Sequence, residues 1–187
     1  MRSGVFGLIS AALILITLSA CSDSNTQPPA KPSATIAPTP TVTPSASNPI
    51  TVKIGAVSIT VSSQHETYGP RGLLSADQTW HAKSPLSFPE YIVVDFGDKR
   101  KFGTLKMLPQ EGDNLKRFPK QVEVSISDDG RTWVSAASAG VTCNSIGNDT
   151  WFPIKLKSEA ETKYVKINIL SNCGDPNLTT VRGIKFE

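Results

Sequence analysis

Two short stretches constrain this chain more than any other feature. In QVEVSIS, at 121–127, Val122, Val124 and Ile126 alternate with polar residues, and in YVKINIL, at 164–170, Val165, Ile167 and Ile169 do the same. An apolar residue at every second position gives a strand one dry face and one wet face, and it cannot line one side of a helix. Weaker forms recur along the chain. Val52 and Ile54 are followed by Val57, Ile59 and Val61, with the parity switching near Gly55, which predicts a bulge or bend there. YIVVDF at 91–96 is a β-branched run between Pro89 and Gly97, and further runs lie at 103–108, 151–156 and 180–187. Asp128-Asp129-Gly130 signals a tight turn into Thr132-Trp133-Val134. No stretch carries an amphipathic helix pattern. Strands at regular spacing, punctuated by Gly, Pro and Asp, predict an all-β sandwich or barrel.

The N-terminus is of a different kind. Arg2 precedes an apolar run at 5–18 that ends in Leu18-Ser19-Ala20-Cys21. A positive start, a short apolar stretch and small residues before a cut site describe an export signal. The four residues ending in Cys21 resemble the lipobox of bacterial lipoproteins. That resemblance implies removal of residues 1–20 and acylation of the Cys21 thiol, with palmitate among the chains. An ordinary secretory signal is the alternative; an uncleaved helix is disfavoured because the run is short for a bilayer. Each buried methylene would contribute about 0.8 kcal/mol to anchoring. Ser22, in place of an aspartate, favours the outer over the inner membrane. The expected location is the bacterial cell envelope, periplasmic or surface-facing. Residues 21–49 continue as a Pro/Thr/Ser/Ala-rich stretch with almost no charge. It has too little apolar area to offset ordering entropy, and its prolines favour extended geometry, so it reads as a disordered, semi-rigid spacer.

Residues 50–187 suit one domain. The chain holds 19 basic and 16 acidic residues with no basic run, which argues against a nucleic-acid partner. Of its three cysteines, Cys143 and Cys173 lie in the domain. In an exported protein such a pair predicts a disulfide, worth about 3–4 kcal/mol in the chain-entropy model. Catalysis finds little support, since there are two histidines, no nucleophile elbow and no metal motif. Glu111 and Asp113 read as a solvated turn rather than a catalytic carboxylate pair.

Five segments, in order, resemble the discoidin family, also called coagulation factor V/VIII C-type domains, within the galactose-binding-like superfamily. They are Gly72-Leu73-Leu74 through Thr79-Trp80-His81, PEYIVVDFG at 89–97, Met107-Leu108-Pro109 onward to VEVSISDDGRTW at 122–133, TKYVKINIL at 162–170, and the closing run 181–186. The resemblance implies an eight-stranded jelly-roll β-sandwich whose ligands bind in loops at one end, here 63–71, 81–88, 109–119 and 171–180. Sugar recognition needs an aromatic face and fixed polar groups. The expected carbohydrate-binding residues are Tyr68, Phe88, His81, Gln110 and Asn114. Gln110 stands where relatives carry arginine, and Arg71 or Arg117 are the alternative guanidinium donors. Trp80, Trp133 and Trp151 are expected in the core. No cofactor is expected. The family's structural calcium is doubtful here, because its two carboxylate positions hold Ser75 and Gly183 and leave Asp77 as a weak metal ligand. The expected partner is a glycan or envelope polysaccharide, with the membrane reached through the lipid anchor. The alternative is an adhesin or assembly factor binding a protein through the same loops. A weaker third option, lipid headgroups, would use Leu86, Leu115 and Phe118 as exposed spikes.

Overall fold

The computed structural model describes residues 48–187 apart from 113. The export signal, Cys21, most of the spacer and Asp113 lie outside the described residues. The strands are β1 (Ile50–Ile54), β2 (Val57–Val61), β3 (Trp80–His81), β4 (Glu90–Leu108), β5 (Pro119–Ser127), β6 (Val134–Gly140), β7 (Phe152–Asn172), β8 (Thr180–Val181) and β9 (Gly183–Phe186). Among the described residues the helical segments are single 3-10 turns at Pro70–Gly72, Asn114–Arg117 and Cys143–Ser145.

β4 and β7 run for 19 and 21 residues. Drawn straight, each would reach about 60–70 Å, well beyond the roughly 35–40 Å width of a domain this size. They therefore bend together, and their antiparallel register slips between Asp95 and Arg100 and again between Phe102 and Thr104. On one side of the bend Glu90–Asp95 pairs with the distal half of β7, flanked by β2 and β1 and by β5 and β6. On the other side residues 104–107 pair with the start of β7 and with β9. The two halves form the two layers of an antiparallel jelly-roll sandwich, the expected fold.

The period-2 residues fill the space between the layers. Ile92, Val94, Val122, Val124, Val165, Ile167 and Ile169 are buried on one side, and Leu105, Met107, Ile154 and Ile184 on the other, in one continuous core. Burying each such side chain contributes about 1.5–3 kcal/mol. The expectation for tryptophan is corrected in part. Trp80 is fully buried, whereas Trp133 and Trp151 are half-buried at strand edges. Lys185 Nζ lies 4.1 Å from the Trp151 ring centroid, so that ring packs on a cation at the surface.

The parity switch at Gly55 is a hairpin rather than a bulge. Gly55 takes φ +63° and Ile54 pairs with Val57 across the turn. Reversal of the chain, with no slip inside one strand, resets which side chains face inward. The Asp128-Asp129-Gly130 turn forms as expected, with Gly130 at φ +69°. Asp129 Oδ1 accepts from the N–H groups of Arg131 and Thr132, both at 2.8 Å. These donors and Ser127 Oγ hold its carboxyl down to about 2. The Cys143–Cys173 disulfide is present and closes a separation of 30 residues.

Because β4 and β7 double back, both of their ends lie at the same end of the sandwich. There Val61, the last residue of β2, pairs with Ile50, β3 pairs with β8, and Leu108 pairs with Gly183. This end carries the loops 62–79, 82–89, 109–118 and 173–179.

Candidate functional site

The loop after β2 is laid over β3 by its own backbone. His65 N–H donates to His81 O at 2.9 Å, His81 N–H donates to Tyr68 O at 3.1 Å, and Tyr68 N–H donates to His65 O at 3.2 Å. This register sets the Tyr68 ring flat on the His81 imidazole, with centroids 4.1 Å apart and planes 16° apart. His65 meets Tyr68 at 5.5 Å and His81 at 6.2 Å. Tyr68 still remains 45% exposed, one of two large hydrophobic side chains that stand out into solvent among the described residues.

A buried polar brace holds this loop. Glu90, at the first position of β4, is 4% exposed and accepts hydrogen bonds from Ser62 Oγ and, at 2.8 Å, from Ser63 Oγ. Ser63 Oγ also accepts from Lys83 N–H at 3.0 Å, and Ser63 O accepts from Trp80 Nε1 at 3.0 Å. A buried carboxylate is tolerated when its lone pairs are satisfied in this way. Opposite, the loops 109–118 and 171–180 are tied together. Arg117 Nε donates to Asp175 Oδ2 at 3.0 Å, Thr179 Oγ1 donates to Arg117 O at 2.9 Å, and Cys173 N–H donates to Phe118 O at 3.0 Å. Arg182 bridges Glu111 and Asp149.

A cavity of about 340 Å³ at this end is lined by Thr67, Tyr68, Asp77, Gln78, Thr79, His81 and Gln110. His81 is 6% exposed, yet its Nε2 has no hydrogen-bond partner. Gln110 Oε1 is likewise buried and unpartnered. Unsatisfied buried polar atoms are rare and costly, and these two belong to residues that line the same cavity. Burial pushes the His81 pKa down from 6.5 to about 4, with nearby Arg117 and His65 adding to the effect. The imidazole is therefore neutral at physiological pH, an uncharged partner for a hydroxyl.

The structure brings together Tyr68, His81 and Gln110 from the expected set. It also places Asp77 in the same lining, accepting from Ser75 Oγ at 2.7 Å. Phe88 is not in the lining; it is half-buried and packs against the core. Asn114 is also outside the lining, half-buried at the start of the Asn114–Arg117 turn. Of the three residues expected as apolar spikes, Phe118 is 1% exposed, Leu86 packs against the core and Leu115 is half-buried. The lining also includes Thr67, Gln78 and Thr79, which the sequence does not mark as binding residues. Their only sequence signal is proximity to Tyr68 and His81. The calcium positions do not fit a metal. A side chain at Gly183 would meet Ala76 Cβ at 2.8 Å and Trp151 Cη2 at 2.9 Å, and Ser75 Oγ is taken up by Gly72 O and Asp77. Among the described residues no three ligating side chains converge.

The F5/8 type C domain model matches residues 58–181. The chain belongs to the F5/8 type C family. Solved structures share this fold at low identity. The family 32 carbohydrate-binding module of Clostridium perfringens NanJ, in complex with galactose, has a TM-score of 0.58 and 15% identity over 69% of this chain and 91% of that one. The family 32 module of AlyQ, in complex with 4,5-unsaturated mannuronic acid, gives 0.56 and 14% over 74% and 98%. Chitosan-binding module 1 of a Paenibacillus sp. IK-5 chitosanase/glucanase gives 0.54 and 15% over 69% and 92%. No curated protein matches the chain. These neighbours are carbohydrate-binding modules.

Proposed function

We propose that this protein is a non-catalytic envelope lipoprotein whose F5/8 type C domain binds carbohydrate in the Tyr68–His81–Gln110 cavity. The observation that carries the reading is a cavity lined by an exposed aromatic ring together with His81 and Gln110, each of which holds a polar atom without a hydrogen-bond partner. A pyranose needs both: an apolar face to stack on and fixed groups for its hydroxyls. Neighbouring modules bind galactose, an unsaturated mannuronic acid and chitosan, so the shared scaffold is compatible with a sugar ligand. A protein partner would fit a flatter, aromatic-poor loop surface better.

The envelope assignment rests on Leu18-Ser19-Ala20-Cys21 and the spacer after it. In this reading Cys21 carries the acyl chains, residues 21–49 hold the domain off the membrane, and the outer membrane is its address. The experiment is a glycan and cell-wall polysaccharide array probed with the purified full-length protein in its oxidised form. Binding to a defined sugar class, lost in Tyr68→Ala and in His81→Ala, supports the reading. Binding that persists in both variants places the ligand elsewhere and overturns it.

A further inference from the structure

Among the described residues five buried side-chain atoms lack a hydrogen-bond partner: Gln64 Oε1, His81 Nε2, Gln110 Oε1, Thr180 Oγ1 and Arg182 Nε. All five belong to residues at the loop-bearing end, in its loops, in β3 and β8, or directly after β8. Thr180 is placed by a direct pairing. In the two-residue ladder of β3 and β8, Trp80 pairs with Val181 and His81 pairs with Thr180. Trp80 and Val181 are both fully buried in the core. Side chains alternate along a strand, so His81 and Thr180 share the opposite face, with their Cβ atoms about 4.5–5.5 Å apart. His81 stacks with Tyr68 and lines the cavity. The backbone fixes both positions, since Ala82 N–H donates to Thr179 O at 3.0 Å and Thr179 Oγ1 donates to Arg117 O at 2.9 Å.

Thr180 is 0% exposed, and a buried hydroxyl without a partner carries a cost in stability that a valine of the same shape would not. A hydroxyl group both donates and accepts, and a neutral imidazole nitrogen and a threonine hydroxyl can each answer one of those roles. We propose that Thr180 is a further binding residue of this site, and that its hydroxyl and His81 Nε2 together hold one hydroxyl of the bound sugar. This deepens the carbohydrate reading and rests on it. A sugar without that hydroxyl leaves two buried groups unpaired and is rejected for that reason.

The test compares full-length wild type, Thr180→Val and Thr180→Ser over a concentration series on one printed array of glycans and cell-wall polysaccharides, with melting temperatures measured alongside. Thr180→Val is expected to bind about tenfold more weakly, the loss of one hydrogen bond, and to melt at or above the wild-type temperature. Thr180→Ser keeps the hydroxyl and is expected to recover most of the affinity. Wild-type affinity in Thr180→Val overturns the proposal and leaves the carbohydrate reading standing. A lowered melting temperature in Thr180→Val does the same, because the hydroxyl would then be bonded within the fold. So does an equal loss in Thr180→Ser, which would assign the effect to the methyl group. No binding to any glycan by folded wild-type protein overturns the carbohydrate reading and this inference with it.

Discussion

His81 is asked to be buried and to keep an open nitrogen, and those two demands set its titration. Its folded pKa, about 4, lies below the 6.5 of the exposed side chain. As pH falls below 6.5 the unfolded chain takes up a proton that the folded one refuses, so stability declines from there down to about 4 and no further on this account. His81→Gln is expected to flatten that decline in urea melts taken across the range. Tyr68 shows the opposite balance, since exposure of an aromatic ring is kept for contact. Tyr68→Ala should abolish detectable sugar binding, read by titration, and leave the melting temperature close to wild type. Glu90 contributes through position alone. Glu90→Ala removes the buried acceptor shared by Ser62 and Ser63 and should destabilise the fold by about 1.5–3 kcal/mol. It should also weaken binding, because the loop that carries Tyr68 loses its brace.

At the scale of elements, the strands were legible because burial on one face imposes a period of two. Val122, Val124, Val165, Ile167 and Ile169 face inward as their alternation predicts. What the pattern could not separate was a turn from a bulge at Gly55, because both reset parity. It also could not show that β4 and β7 are single bent strands, since the bend is made by register slips that leave no mark on hydropathy. The site divides in the same way. Tyr68, His81 and Gln110 were legible from their places beside matched motifs. Phe88 and Asn114 were expected on the same grounds and lie outside the cavity. Whether a loop side chain turns to the cavity or to the core depends on backbone register, such as the three bonds linking His65, Tyr68 and His81. The Cys143–Cys173 bridge joins the 3-10 turn at Cys143–Ser145 to the loop after β7. Replacing both cysteines by serine should cost about 3–4 kcal/mol, measured by denaturant unfolding with and without reductant.

At the scale of the whole molecule, the first described strand starts at the end that holds the cavity, since Ile50 pairs with Val61 just before the loop carrying Tyr68. If Cys21 is the anchor, Cys21→Ser should move the protein from the membrane fraction to the soluble fraction without changing its affinity for sugar, as fractionation and titration would show. The account stands on one claim above the others, that the Tyr68–His81–Gln110 cavity holds a sugar. The most direct measurement is the glycan array with wild-type protein beside Tyr68→Ala and His81→Ala. The account predicts binding to a defined class of glycan that both substitutions abolish. Binding that both variants retain, or no binding to any glycan by a folded wild-type protein, would contradict it.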